Sequence, residues 1–405
     1  MAKLGVSSMT ATTGLCAALA MLVIAATGFA QESPQNPAAK QTIRKQALWV
    51  ANVANTPYFS IFQGTKLSRS GVVRPTFAFS DGSGFGNASA IAFDAKHNFW
   101  ASFCAPSPGG VAIPGVIIEL TAAHLRQLVE FGRTTHSVVL TFQNANDNFA
   151  HCPESLQFDQ AGNLWVVTLG NYAGGKVQGP NLLEYTPSEI AQSGSPTPKT
   201  IVTITEPPLP PTDFSSNEIQ FDAGGNLWVS GGIVRVSPVQ EIVVDFTPAQ
   251  LSAGGALASN LNIAVSNAVP IHYVYITTAF AFDKRGNLWV AYYTGGANVY
   301  QGGLKMFAAA DLAGTGTIAP TPMVTIDLGN LTSPGALAFD DLGDLWVANA
   351  PELITGTSGG ANIAEFTPDQ LAASGAPTPK ALLSDPLYGR NFSNPDVITF
   401  GPKVP

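Results

Sequence analysis

The chain has 405 residues, of which 45% are hydrophobic and 11% charged, so it can bury a large core. Nineteen Lys and Arg against 27 Asp and Glu leave a net charge of -8. No basic patch or Arg-rich run appears, which argues against a nucleic-acid partner.

Residues 1–30 read as a secretory signal. Lys3 gives a basic start, Leu15 to Ala26 is an apolar run, and Gly28-Phe29-Ala30 offers a small-residue cleavage site. The run is short for a membrane span, an uncleaved anchor being the alternative. Residues 31–46 are polar, with Pro and Gln, and read as a spacer. The expectation is an exported protein, periplasmic or extracellular, with no membrane span after signal cleavage.

From residue 47 to 405 one motif recurs. All six tryptophans (Trp49, Trp100, Trp165, Trp228, Trp289 and Trp346) occupy the same place in it, 51 to 65 residues apart. Four copies are nearly identical, as in Phe158-Asp-Gln-Ala-Gly-Asn-Leu-Trp165-Val and Phe282-Asp-Lys-Arg-Gly-Asn-Leu-Trp289-Val. A near-fixed period of this kind signals a repeat architecture. Within one unit, Ser155–Phe158 alternates polar and apolar and reads as a strand. Asp159 to Asn163 suits a tight turn, and Leu164–Thr168 is a β-branched, aromatic strand. A Gly-rich loop leads to a third strand, Leu182–Tyr185. Thr186-Pro-Ser-Glu189 then carries a capping box for one short helical turn, repeated at Thr247 and Thr367. Each such turn closes near a glycine: Gly194, Gly255 or Gly375. A fourth strand follows Pro196. The 40 Gly and 30 Pro fall at this punctuation and fit turn-dense β structure rather than disorder.

Four antiparallel strands per unit and six units predict an all-β chain: a six-bladed β-propeller of four-stranded blades. The chain enters at Leu48-Trp49-Val50, a second strand with no first strand before it. It leaves at Asp396–Phe400, a first strand with no second strand after it. The C-terminal strand is therefore expected to complete the first blade and seal the ring.

Two cysteines remain after signal removal. Cys104 follows the tryptophan strand of the second blade, and Cys152 precedes the first strand of the third, on the same face. Export permits a disulfide between them; two buried free thiols are the alternative. The repeated Asp94, Asp159, Asp222, Asp283 and Asp340 sit in turns on the opposite face and read as structural, as do the tryptophans.

Propeller sites gather at the channel mouth. Four residues before each first-strand Phe stand Ser89, Glu154, Asn217, Thr278, Gly335 and Asp396, a ring about the axis if the register holds. Glu154, Asn217 and Asp396 offer oxygens suited to a divalent cation such as calcium. A hydrated polar mouth is the other reading. Glu218, His151, His272 and Tyr275 are expected near the same face. The long loops 170–181, 292–303 and 349–360 offer a surface for a small molecule, glycan or protein.

The phrase Phe-Asp-x-x-Gly-Asn-Leu-Trp-Val, followed by a third strand ending in Phe or Tyr, resembles NHL-type repeats. These belong to the wider superfamily of six-bladed propellers that includes SMP-30/gluconolactonase-like proteins. The resemblance implies either a ligand- or protein-binding module or scaffold, or a calcium-dependent lactonase or esterase; a monomer is expected. In the second case it implies Glu154, Asn217 and Asp396 as metal ligands, with Asp396 as general base.

Overall fold

A computed structural model describes residues 44–404 except 53–57, 81–86, 105–114, 132–134, 143–151, 169–170, 174–175, 179, 206–213, 234–239, 266–278, 297–298, 350–360 and 386–394. The signal segment 1–30 and most of the spacer lie outside the described residues, as do His151, His272, Tyr275 and Thr278. Among the described residues no helix is long and apolar enough to cross a membrane.

The chain folds into a six-bladed β-propeller. Blade 2 shows the plan: Asn87–Phe93 lies innermost, then Phe99–Cys104, Gly115–Leu120 and Val138–Phe142, each antiparallel to the last. Blades 3 to 6 begin on Pro153–Phe158, Phe214–Phe221, Phe280–Phe282 and Pro334–Phe339. The innermost strand of blade 1 is Pro395–Gly401, from the far end of the chain. It pairs with Ala47–Asn52 in the order Ala47↔Gly401, Leu48↔Phe400, Trp49↔Thr399. The expected closure is therefore what the backbone does.

The Asp turns have one chemical purpose. In blade 3, Asp159 Oδ1 accepts the Asn163 N–H, while Oδ2 accepts Asn163 Nδ2 at 2.8 Å and Trp165 Nε1 at 3.3 Å. The turn and the indole are thus locked by one carboxylate, and each repeat with this Asp shows the Trp bond. Blade 1 lacks the turn because it is split between the chain ends, and Trp49 Nε1 bonds the Pro402 carbonyl at 3.0 Å instead. Each indole then meets the first-strand Phe of the following blade edge to face: Trp49–Phe93, Trp100–Phe158, Trp165–Phe221, Trp228–Phe282, Trp289–Phe339 and Trp346–Phe400. Centroid distances run from 5.0 Å in the first pair to 6.4 Å in the third. Six equivalent aromatic contacts, the last involving the C-terminal strand, form the ring of inter-blade cores.

Three elements differ from expectation. Of the three Thr-capped segments, Pro248–Ala253 is a helix with its full capping box. The segments after Thr186 and Thr367 keep the cap bonds but remain turns. The helix Ala122–Phe131 of blade 2 was not anticipated; Thr121 Oγ1 caps it by accepting the His124 N–H at 3.3 Å. Finally, the loop expected at 292–303 is mostly ladder: the strands Leu288–Gly296 and Val299–Phe307 pair out to Gly296↔Val299. Gly303 permits this, since a Cβ there would fall 2.5 Å from the Tyr292 ring.

Candidate functional site

The innermost strands present an unpaired edge to the axis, so their side chains face the gaps between blades and their backbones face the channel. A bulge changes that locally by re-aiming one residue. Ser89 is passed over between paired Ala88 and Ala90, Glu154 between Pro153 and Ser155, Gly335 between Pro334 and Ala336, and Asp396 between Pro395 and Val397. In blade 4 the irregularity spans Asn217 and Glu218, between Ser216 and Ile219. These are the ring positions counted from the sequence. The backbone therefore brings Ser89, Glu154, Asn217, Gly335 and Asp396 to one level near the start of the inner strands. The side chains of Asn217, Asp396 and Cys104 lie outside the described residues.

A cavity of about 320 Å³ runs from that level along the channel, walled by the inner strands of all six blades. Ser89, Glu154, Gln157, Glu218, Gln220 and Thr399 give it polar character. Glu154 Oε1 lies 2.8 Å from Cys152 Sγ. Glu218 Oε2 accepts the Phe280 N–H at 3.0 Å, and its Oε1 accepts Gln220 Nε2 at 3.0 Å. Gln220 also donates to the Phe280 carbonyl at 2.7 Å, tying blade 4 to blade 5. Desolvation pushes the Glu218 carboxyl up to about 7, against the pull of the Phe280 N–H and Gln220. Near neutral pH, Glu218 thus offers both a proton to donate and a carboxylate to accept one. The same kind of stitch recurs elsewhere in the wall: Ser89 Oγ donates to the Pro153 carbonyl at 2.5 Å, and Ser155 Oγ accepts the Ile219 N–H at 3.2 Å.

Among the described residues no group of three or more His, Cys, Asp and Glu is placed to hold a metal ion. A second set of carboxylates escaped the sequence reading. Glu119, Glu184, Asp245 and Glu365 are buried directly opposite Trp100, Trp165, Trp228 and Trp346. Their signal is the acid that precedes the last aromatic or Leu of the third strand in these four blades, as in Glu184-Tyr185 before Thr-Pro.

No family model matches the chain, and no curated protein does. Solved structures similar to it include a structural-genomics protein with a provisional gluconolactonase assignment, at 13% identity over 70% of this chain and 75% of that one, TM-score 0.37. A gluconolactonase from Xanthomonas campestris shares 10% identity over 84% and 85%, TM-score 0.33. An endo-arabinanase from Bacillus licheniformis shares 10% over 62% and 89%, TM-score 0.36. At these scores the likenesses carry no argument about what this chain binds or transforms, and the propeller stands on its own strand order and register.

Proposed function

We propose that the protein is an exported propeller that binds a small polar ligand at the mouth of its channel. The observation that carries this reading is the cavity, of the size small-molecule sites begin at, with Glu154 and Glu218 on neighbouring inner strands of its wall. Glu218 would donate to a ligand oxygen and Glu154 would accept from a ligand hydroxyl. Calorimetric titration with neutral sugars, sugar acids and lactones tests it. Glu154→Ala and Glu218→Ala should each weaken binding about tenfold, while Glu218→Gln, which keeps a donor, should retain it. Affinity unchanged in both alanine variants would sink the reading.

A second reading is supported by the bulge shared by Glu154, Asn217 and Asp396. Carboxylate and amide oxygens are the donors calcium takes, and these three would hold it, making the protein a lactonase or esterase. The ion, when bound, would polarise the substrate carbonyl, and Asp396 would accept the proton of the attacking water. Metal analysis combined with lactonase and esterase assays before and after chelation separates the two readings. Stoichiometric calcium lost in Glu154→Gln or Asp396→Asn supports the hydrolase; neither metal nor activity removes it. The export reading also carries a Cys104–Cys152 disulfide. Cys104 pairs with Asn87 at the leading end of blade 2, and Cys152 precedes Pro153, whose carbonyl is bonded to that blade. Thiol counting under non-reducing denaturation distinguishes it from two free thiols.

A further inference from the structure

The blades repeat one wiring, so their lower faces can be compared position by position. In blade 6 the Arg44 guanidinium lies over the Trp346 ring, 5.2 Å from its centroid. Its nitrogens reach Asp340 at 2.5 Å, Asp344 at 2.7 Å and Glu365. Lys380 Nζ completes the set, 2.6 Å from Glu365. Arg44 comes from the next blade, five residues ahead of Trp49.

Blade 3 carries the same frame. Trp165 stands opposite Glu184 as Trp346 stands opposite Glu365. Asp159 accepts the Trp165 indole N–H as Asp340 accepts that of Trp346. Lys199 donates its N–H to the Glu184 carbonyl and places Nζ 2.7 Å from the Glu184 carboxylate, as Lys380 does with Glu365. At the position of that lysine, blades 2, 4 and 5 have Ser137, Asn260 and Met323, so among the described blades this frame recurs in blade 3 alone. Yet Arg44 arrives on the incoming chain of blade 1, whereas blade 4 has the Asp222–Asn226 turn at that place and, among the described residues, no arginine borders the space. What remains between blades 3 and 4 is a cleft of about 370 Å³ with Trp165, Phe221 and Pro248 in its walls.

We propose that this cleft is a binding site for a planar guanidinium cation. Blade 6 shows what the frame holds when filled. Guanidinium is flat and weakly hydrated, so it stacks on an indole and forks onto carboxylates at little desolvation cost. Blade 3 has Asn163 where blade 6 has Asp344, but Asp222 borders the cleft, leaving Asp159, Glu184 and Asp222 against Lys199. The excess negative charge matches a cation.

The test is calorimetric titration of the whole protein with three probes: free arginine, arginine blocked at both ends, and blocked citrulline, its uncharged isostere. Blocked arginine should bind saturably, and citrulline about tenfold or more weaker. Equal binding of free and blocked arginine identifies an arginine side chain as an acceptable ligand; preference for free arginine identifies a small metabolite. Glu184→Gln should abolish binding with the circular dichroism spectrum retained. Absence of saturable binding, citrulline equal to arginine, or undiminished binding in Glu184→Gln would overturn the proposal.

Discussion

One atom exchange sets blade 6 apart from blades 2 to 5. At Asn98, Asn163, Asn226 and Asn287 the amide donates to the turn Asp at 2.8 Å. Position 344 is Asp, which has no such donor, and two carboxylates then face each other beside the buried Glu365. Arg44 supplies the missing donors to all three. Removing one partner of a buried ionic group leaves uncompensated charge. Arg44→Met should therefore lower stability by about 3–5 kcal/mol in urea unfolding. Adding Asp344→Asn should recover part of the loss, because the amide donor returns; an unshifted midpoint in Arg44→Met would refute this account. Titration matters too. Burial raises Glu218 to about 7, and burial together with the bond to Asp344 raises Glu365 to about 7. A carboxyl whose folded value lies above its unfolded value stabilises the fold fully below the unfolded value and loses that contribution as pH rises through the folded one. For Glu218 the loss is about 3 kcal/mol between roughly pH 4.5 and 7. Melting temperature should fall from pH 5.5 to 8.5, and Glu218→Gln, which cannot ionise, should flatten part of that slope.

Strands are joined between blades by a device that glycine makes possible. Gly71, Gly194, Gly255, Gly316 and Gly375 pair in parallel with the outer strand of the preceding blade, at Leu383, Leu140, Val202, Leu261 and Ile326. All five have positive φ, which lets the chain turn out of its short helix or turn and run along the exposed edge. The sequence marked three of these glycines as helix ends, because a C-cap and a start of edge pairing call for the same residue. The partner strand was not legible, since its register depends on a blade about 60 residues away. The inner strands were legible almost residue by residue, because Phe and Trp recur at fixed spacing. The bulges also fell where counting placed the ring, but which side chains enter the channel depends on three-dimensional direction that spacing does not encode. The closing strand has its own glycine: a Cβ on Gly401 would fall 2.1 Å from the Phe93 ring. Gly401→Ala should cost about 1–3 kcal/mol by overpacking this seam. Phe93→Leu in the same chain should relieve part of it; strictly additive losses in the double variant would show that the two residues do not meet.

At the scale of the molecule, everything converges on the shared first blade. Deleting residues 395–405 would leave Ala47–Asn52 as an uncovered inner edge and Trp346 without Phe400. The truncated chain should melt at a lower temperature and self-associate on size exclusion, and a peptide of residues 395–405 added in trans should restore the elution of the full-length chain by strand addition. A truncated chain indistinguishable from the full one would contradict the closure. That sharing also dictates a timetable. Five blades can gather their strands as synthesis proceeds, but the remaining one must wait for residue 401 to be available. The head of the polypeptide is held in suspense until the tail arrives, so an interrupted translation product never becomes a smaller version of the finished wheel.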